Sequence, residues 1–277
     1  MKKNRLIFES LVSILIVAVV IIIATASFSG KKKEYDLIIF GDSIIGNDRS
    51  DESVTALISK ESGLSCLNAA FGGTRLTSDN SKNSIGEKEN LYSVEEIAKA
   101  LACDDIERFT MAAFSENYSA RFYFQDVVKK LGLVNFKKAR FIIIQSGTND
   151  YLSGVKVGSE DEENTFIHSL HETVKNLKKA SPEAEIIILT PCFNDIFLQD
   201  ERNCLNVDYG GGTLDKYVEA ELSYGKKYGI SVIDNLNDSK IKDETVNEYL
   251  LDGLHPNAEG NREIADTIWN FIARQTQ

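Results

Sequence analysis

The sequence predicts an α/β protein, a three-layer α/β/α sandwich around a parallel sheet, preceded by an N-terminal transmembrane helix. After residue 33, short runs rich in isoleucine, leucine and valine alternate with longer stretches of helical periodicity. This alternation is typical of a parallel sheet covered by helices on both faces. Before residue 33, residues 11–28 carry no charge. As a helix they would be about 27 Å long, close to the bilayer core of about 30 Å.

The apolar run and its flanks predict export of the residues that follow. Three basic residues precede the run, as in a cytoplasmic flank. Residues 1–33 are therefore predicted to be a cytoplasmic tail, a membrane anchor and a short basic linker. A cleaved signal peptide is the alternative, because residues 24–26 fit a small-x-small pattern, and cleavage near Ala26 would give a secreted protein. A buried helix of a soluble protein is disfavoured, because the run has no polar face.

The charge of the chain argues against one class of function. The net charge is −11, and the basic residues before residue 34 are opposed there by a single acid, so the remainder is more acidic still. A nucleic-acid-binding protein needs a basic face to displace counterions from phosphates. An acidic body is instead suited to neutral or cationic substrates.

Five strands and six helices are predicted after residue 33. The strands are residues 36–40, 64–68, 140–145, 185–190 and 230–234. The helices are residues 52–61, 93–102, 121–131, 160–180, 214–228 and 256–274. Five parallel strands predict a flavodoxin-like sheet. Residues 77–138 fit the alternation poorly, and we expect them to be a helical insertion in one domain that spans residues 34–277.

A serine, a histidine and an aspartate stand at loop positions suited to acyl transfer. Ser43 follows the first predicted strand, and Asp252 and His255 lie in the last loop before the C-terminal helix. A serine hydroxyl becomes an effective nucleophile when a base takes its proton, and histidine is the usual base. A carboxylate three residues earlier can fix the histidine tautomer. Taken separately, these residues also fit an ordinary turn and a surface Asp–His pair.

Two further loops offer hydrogen-bond donors at the same edge of the sheet. Residues 147–150 follow the third predicted strand and contain Asn149, and residues 68–74 follow the second and contain two glycines. The anionic oxygen that forms during acyl transfer needs donors fixed in advance. A turn or a helix cap is the alternative role for each loop. Because the carboxyl ends of parallel strands share one edge, we expect all these residues to meet.

The order of these blocks resembles the SGNH/GDSL hydrolase family of esterases and lipases. The matching blocks are GDS at 41–43, Asn-x4-Gly at 68–73, GTND at 147–150 and DxxH at 252–255. The resemblance covers residues 35–275 and implies that Ser43 is the nucleophile, His255 the general base and Asp252 the residue that orients the base. The common α/β-hydrolase fold fits less well, because residues 41–45 lack the second glycine of G-x-S-x-G.

The resemblance also implies an oxyanion hole, the set of donors that binds the anionic oxygen. Its members would be the backbone N–H of Ser43, the backbone N–H of Gly73 and the side-chain amide of Asn149. Gly72 is the alternative for the glycine, because the two are adjacent. The resemblance implies neither a cofactor nor a metal. The stretch between Ser43 and Asn149 is longer than is usual in the family, so the insertion at 77–138 is expected to shape the substrate pocket.

For activity, the resemblance implies a serine esterase that acts through an acyl-enzyme. We expect it to hydrolyse small acyl esters, O-acetyl groups above all, on extracellular or cell-surface glycan. Arg75 and Tyr151 stand next to their blocks and are predicted to contact the substrate. A lipase, a thioesterase or an acyltransferase on the same triad is the alternative. A non-catalytic glycan-binding module is an alternative of another class.

Two other groups of residues are predicted to carry no site. The four cysteines show no metal-ligand spacing and are expected to be buried or idle thiols, with a Cys192–Cys204 disulfide as the alternative. His168 and His171 lie three residues apart on a predicted helix. A metal site there has no evident third ligand, so a solvated helix face is favoured.

Overall fold

Five parallel strands form one sheet in the computed structural model, which describes residues 32–78, 92–109, 123–197 and 201–275. The strands are β1 (Leu37–Gly41), β2 (Cys66–Asn68), β3 (Phe141–Gln145), β4 (Glu185–Leu189) and β5 (Ser231–Ile233). Their order in the sheet is β2-β1-β3-β4-β5, and each neighbouring pair is parallel. This order confirms the predicted α/β fold with a five-stranded parallel sheet.

The central strands are continuous apolar runs because helices cover both of their faces. Every residue of β1 and β3 is buried, and the two strands pair in register over five residues, from Leu37 opposite Phe141 to Gly41 opposite Gln145. A strand covered on both faces has no polar side to alternate with its apolar side. The strands at the two edges, β2 and β5, are three residues long.

Ten α-helices lie within the described residues. They are α1 (Ser43–Gly46), α2 (Val54–Ser62), α3 (Val94–Ala102), α4 (Tyr123–Gly132), α5 (Thr148–Leu152), α6 (Phe166–Ala180), α7 (Leu214–Tyr228), α8 (Asn235–Asp238), α9 (Val246–Tyr249) and α10 (Ala258–Gln275). Helix α2 packs against α10, and α6 packs against both α3 and α7.

Two predicted helix starts are corrected. Residues 160–165 are not helical, because Thr165 has extended backbone angles and α6 begins at the next residue. The last helix begins after residue 257 and not at Pro256, because the Asn257 side chain accepts the Gly260 N–H at 3.0 Å and so caps the helix. The other four predicted helices begin and end within two residues of the prediction, and the short helices α1, α5, α8 and α9 were not predicted.

The described part of residues 77–138 packs onto the loop that follows β2. Phe71 in that loop contacts Tyr92 and Phe124, with ring centroids 5.0 and 4.9 Å away. Tyr92 and Phe124 are themselves 5.1 Å apart, and all three rings are buried. The residues predicted as an insertion therefore join the core beside one of the predicted site loops.

The predicted membrane anchor and signal cleavage site fall on residues outside the described ones. Among the helices that the structure describes, none combines the length and the apolar character that crossing a bilayer requires. Residues 34–277 form a compact unit of their own.

All four cysteines are free thiols, in agreement with the prediction. Cys192 and Cys204 are buried, Cys66 is half-buried and Cys103 is exposed. Burial raises the pKa of the Cys192 and Cys204 thiols to about 12, so both are protonated at neutral pH. Neither thiol has the low pKa of a reactive cysteine.

Candidate active site

Ser43 lies just after the carboxyl end of strand β1, as the first residue of helix α1. The Asp42 side chain accepts the Ile44 N–H at 2.9 Å and caps this short helix. The first N–H groups of a helix have no partner within the helix. The Ser43 N–H makes no hydrogen bond within the described part of the chain. Ser43 is 8% exposed, so its hydroxyl and its N–H lie at the base of a recess.

Asp252 and His255 lie in a loop that is fixed by its own hydrogen bonds. Leu250 and Pro256 form an antiparallel bridge between the two ends of the loop, and the Leu251 N–H donates to the His255 carbonyl at 2.8 Å. At the tip, the Asp252 carboxylate accepts the backbone N–H of Leu254 at 3.1 Å and that of His255 at 2.8 Å. The geometry of the Asp–His pair is therefore set within seven residues.

A chain of hydrogen bonds joins Asp252, His255 and Ser43. His255 Nδ1 is 2.8 Å from Asp252 Oδ2, and His255 Nε2 is 3.1 Å from Ser43 Oγ. The carboxylate can only accept at Nδ1, which assigns the proton to that nitrogen and leaves Nε2 to accept the Ser43 hydroxyl. Burial would raise the pKa of Asp252, but the hydrogen bonds from His255 outweigh it and hold the pKa below its usual value. Asp252 is thus anionic at neutral pH.

The loop after β2 presents one free backbone donor and one engaged donor. The Gly72 N–H donates to the Tyr123 hydroxyl at 2.7 Å. The Gly73 N–H makes no hydrogen bond within the described residues, and Gly73 has a φ of +78°, which favours glycine. Of the two candidate glycines, the structure leaves the N–H of Gly73 available.

Asn149 is tied to the same loop from the other side. Its Nδ2 donates one hydrogen bond to the Thr74 carbonyl at 3.0 Å, and its second N–H is left for a ligand. Asn149 lies in the first turn of α5, which begins after Gly147. Gly147 has a φ of +115°, and a Cβ there would lie 2.9 Å from the Pro191 ring, so only glycine fits this turn.

The sequence comparison places the chain in a family. The family model of GDSL-like lipases and acylhydrolases matches residues 39–263. The chain belongs to this family. The predicted resemblance is thereby confirmed, and membership implies ester hydrolase activity.

Solved structures share the fold of this GDSL hydrolase at low sequence identity. A possible lipase from Chitinophaga pinensis is 18% identical, with a TM-score of 0.56 over 87% of this chain and 98% of that one. A lipolytic protein of the G-D-S-L family from Veillonella parvula is 18% identical, with a TM-score of 0.51 over 87% and 98%. An acetyl xylan esterase is 16% identical, with a TM-score of 0.51 over 85% and 99%. A comparison with curated protein sequences gave no match.

An open cavity of about 470 Å³ lies beside the hydrogen-bonded chain of Asp252, His255 and Ser43. Ser43 and His255 are among its lining residues. The remaining lining residues are neutral or acidic: Ile44, Asn47, Asp48, Leu251, Asp252, Pro256, Asn257, Ala258 and Asn261. Leu251 is 73% exposed and offers an apolar surface, while Asn261 donates to Asp48 at 2.7 Å. The cavity adjoins Ser43 on the side of α1 and the start of α10, and Gly73 and Asn149 are not among its lining residues.

The expected substrate contact of Tyr151 is corrected by the structure, and that of Arg75 stays a prediction. Tyr151 is 1% exposed, and its hydroxyl donates to the Val207 carbonyl at 3.0 Å. Arg75 is 8% exposed, and its positive charge acts on the buried Asp150 carboxylate. For Tyr151, proximity in sequence was misleading because its ring packs into the protein against Tyr217.

Sequence reasoning missed three residues that support the site. Asp150 accepts the Leu76 N–H at 2.8 Å and the Thr77 N–H at 3.0 Å, so it holds the far end of the β2 loop. Its place in the GTND block is the one signal for this role. Arg49 and Tyr123 contact the near end of the loop, and no motif marks either residue, because their partners are distant in sequence or are backbone atoms.

The two remaining histidines are engaged with protein groups. His168 Nδ1 lies 2.7 Å from the Glu160 carbonyl, and His171 Nδ1 lies 3.3 Å from the Tyr224 hydroxyl. Among the described residues, no group of histidine, cysteine and acidic side chains is arranged to hold a metal.

Proposed function

We propose that this GDSL hydrolase removes small acyl groups, acetyl above all, from carbohydrate hydroxyls through an acyl-enzyme on Ser43. The observation that carries the proposal is the hydrogen-bonded chain from Asp252 through His255 to Ser43. A glycan-binding module has no need of a serine aligned with a base. The chain of hydrogen bonds therefore favours the enzyme over the binding module.

In the first half of the reaction, Ser43 is acylated. Its Oγ attacks the ester carbonyl carbon while His255 Nε2 takes the hydroxyl proton. The carbonyl electron pair moves to the oxygen, and the N–H groups of Ser43 and Gly73 and the Asn149 amide are placed to bind that oxyanion. When the tetrahedral intermediate collapses, the C–O bond to the alcohol breaks and His255 returns the proton to the leaving alcohol oxygen.

In the second half, water regenerates the serine. His255 takes a proton from water, the hydroxide oxygen bonds to the acyl carbon, and the same donors bind the oxyanion. Collapse breaks the bond to Ser43 Oγ, which recovers its proton from His255, and the carboxylic acid leaves. Asp252 stays anionic throughout and stabilises the imidazolium that forms in each half.

The surroundings of Ser43 support a carbohydrate ester more than a long-chain lipid. The cavity is open, and its lining combines amide and carboxylate side chains with apolar ones such as Leu251, so it offers no continuous apolar channel. A sugar can place its hydroxyls against such amides and carboxylates, whereas a long acyl chain needs an extended apolar channel. The acetyl xylan esterase with a similar fold acts on an ester of this kind, which is compatible with the proposal.

For location, we propose that the hydrolase works outside the cytoplasm, tethered by residues 11–28. The uncharged run and its basic flank support an anchor, and cleavage near Ala26 is the alternative. Fractionation of cells that express the full chain tests this. Recovery with membranes supports the anchor, recovery in the medium supports cleavage, and recovery in the cytoplasm contradicts export.

Hydrolysis of p-nitrophenyl acetate by residues 34–277, with Ser43→Ala as the matched control, tests the enzyme proposal. Acetate release from acetylated xylan, peptidoglycan and chitin fragments then tests the substrate class. Equal rates for the two proteins would contradict the proposal that the protein is an esterase. Hydrolysis of the model ester without acetate release from any glycan would contradict the carbohydrate substrate. If transfer of the acyl group to an added sugar were faster than hydrolysis, the activity would be that of an acyltransferase.

A further inference from the structure

Arg49 bridges the end of helix α1 and the loop that follows β2. Its Nε donates to the Gly46 carbonyl at 3.0 Å, at the end of the helix that Ser43 begins. Its two terminal nitrogens donate to the Asn68 carbonyl at 3.2 Å and to the Ala70 carbonyl at 2.7 Å. The planar guanidinium offers donors in a fixed fork, which a lysine cannot reproduce.

Tyr123 holds Arg49 and the same loop together. The Arg49 guanidinium lies over the Tyr123 ring at 4.3 Å from its centroid, in a cation–π contact. The Tyr123 hydroxyl accepts the Gly72 N–H at 2.7 Å. Tyr123 begins α4, within the predicted insertion. Together, Arg49 and Tyr123 form a clamp on this loop.

The clamp acts where the helix and the loop are in direct contact. A Cβ on Gly46 would lie 3.3 Å from each of three atoms, the Ala70 carbonyl oxygen, the Gly72 nitrogen and the Tyr123 hydroxyl. No side chain therefore separates the end of α1 from the loop. A shift of the loop changes the distance between Ser43 and the donors that follow Gly72.

Gly73 lies between two fixed points. The clamp holds residues 68–72, and α5 holds the residues beyond Gly73 through Asn149 to the Thr74 carbonyl and Asp150 to the Leu76 N–H. Because Tyr123 engages the Gly72 N–H, the Gly73 N–H is the one left for an oxyanion. An oxyanion donor is effective when it lies 2.7–3.1 Å from the developing charge, and a misplacement of about 1 Å can cost on the order of 10²-fold in rate.

We propose that Arg49 and Tyr123 are positioning residues for the oxyanion hole, which set the Gly73 N–H against Ser43. The insertion at residues 77–138 thus takes part in catalysis through Tyr123, in addition to any effect on the pocket. This inference rests on the proposed esterase function. It concerns stabilisation of the transition state, so it predicts a loss in kcat and not in substrate binding.

Tyr123→Phe is the most direct test, because it removes the hydroxyl that accepts the Gly72 N–H and keeps the ring under Arg49. We expect kcat for p-nitrophenyl acetate to fall about tenfold with KM within about twofold, as for a group that acts on the transition state alone. Affinity for an alkylboronic acid, which forms a tetrahedral anion on the serine, should fall by a similar factor. Titration of the active serine with a fluorophosphonate should show that the competent fraction is unchanged.

Tyr224→Phe is the matched control. It removes another buried tyrosine hydroxyl, which contacts His171 on the outer helices, and should leave kcat within about twofold. Arg49→Lys should lower kcat by a similar factor to Tyr123→Phe, and the double variant should lose less than the product of the two, because both act through one loop.

The outcomes separate the two proposals. An active wild-type enzyme with a Tyr123→Phe variant of equal kcat would overturn the clamp and leave the esterase intact. A reduced kcat that matches a reduced competent fraction would also overturn it, because the effect would then be one of folding. A wild-type protein that neither hydrolyses the ester nor reacts with the fluorophosphonate would overturn both proposals.

Discussion

The loop of residues 250–256 and the loop of residues 68–77 both serve Ser43, but they are held in different ways. The first is held largely by its own backbone and by the Asp252 carboxylate, which accepts N–H groups two and three residues away, and it receives one hydrogen bond from outside, from the Asp195 N–H to the Gly253 carbonyl. The second depends on Arg49, Tyr123 and Asp150, which come from three other parts of the chain. The base is thus locally determined, whereas the oxyanion hole depends on the tertiary structure.

This difference predicts how each loop responds to substitution. A change of Asp252 or His255 in the first loop should affect the chemistry and leave the fold intact, because both side chains are partly exposed. A change in the supports of the second loop should alter both the rate and the free energy of unfolding. The following substitutions test this contrast, from the largest expected effect to the smallest.

His255→Ala should abolish almost all activity with little change in stability. Without the base, Ser43 stays protonated, and loss of a triad member costs on the order of 10⁴- to 10⁶-fold in kcat. The rate of p-nitrophenyl acetate hydrolysis and the urea midpoint measure the two effects. A loss of less than about tenfold would show that another group takes the proton.

Asn149→Ala should lower kcat by about 10²- to 10³-fold, as expected for removal of one oxyanion donor. It also removes the hydrogen bond to the Thr74 carbonyl, so a modest loss of stability should accompany it. Steady-state kinetics measures the loss of kcat, and a denaturation curve measures the loss of stability. An unchanged kcat would exclude Asn149 from the oxyanion hole.

Asp150→Asn and Asp252→Asn make the same change in the residue that supports each loop, Asp150 for residues 68–77 and Asp252 for residues 250–256. An asparagine at 150 presents an N–H₂ group to one of the two backbone N–H groups that the carboxylate accepts. We expect a loss of about 1–3 kcal/mol in the free energy of unfolding and a fall of about tenfold in kcat. At 252, where the side chain is 57% exposed, kcat should fall further and stability should hardly change. Equal losses in the free energy of unfolding for the two variants would contradict the proposed difference between the two loops.

Asp42→Asn should gain stability relative to the wild type as the pH rises from about 4 to about 7. Burial, with the nearby Asp150 charge, raises the pKa of Asp42 to about 7 in the folded protein, from 3.8 in the unfolded chain. Between these values the unfolded chain ionises first, so the carboxyl progressively favours unfolding. Asparagine keeps the cap on α1 without this cost. Urea unfolding at pH 5 and pH 8 measures the difference, and a pH-independent difference would contradict the raised pKa.

The sequence was most informative where function depends on local patterns. Continuous apolar runs such as those of β1 and β3 identified the strands, because a strand buried on both faces must be apolar throughout. Ser43, Asp252 and His255 could be proposed from their motifs, since two of them are three residues apart and the third follows a strand. Their meeting within hydrogen-bond distance is a property of the sheet order.

Prediction was weakest where the direction of a side chain mattered. Tyr151 stands two residues from Asn149, yet helix α5 turns its ring into the core, against Tyr209 and Tyr217. Adjacency in sequence does not fix the face of a helix on which a residue lies until the packing partner is known. Tyr123 shows the opposite case, in which a residue without a motif contacts the Gly72 backbone from 51 positions away.

The sequence by itself determined the strands, the long helices and the family, and it proposed Ser43, Asp252 and His255 as the catalytic residues, because each rests on local periodicity or on short motifs. Only the tertiary structure showed that the N–H of the alternative, Gly72, is engaged by Tyr123, that Tyr151 and Arg75 are buried, and that Arg49 and Tyr123 hold the β2 loop. These facts depend on hydrogen bonds to backbone atoms. Every residue has such atoms, so no residue type in the sequence marks them in advance.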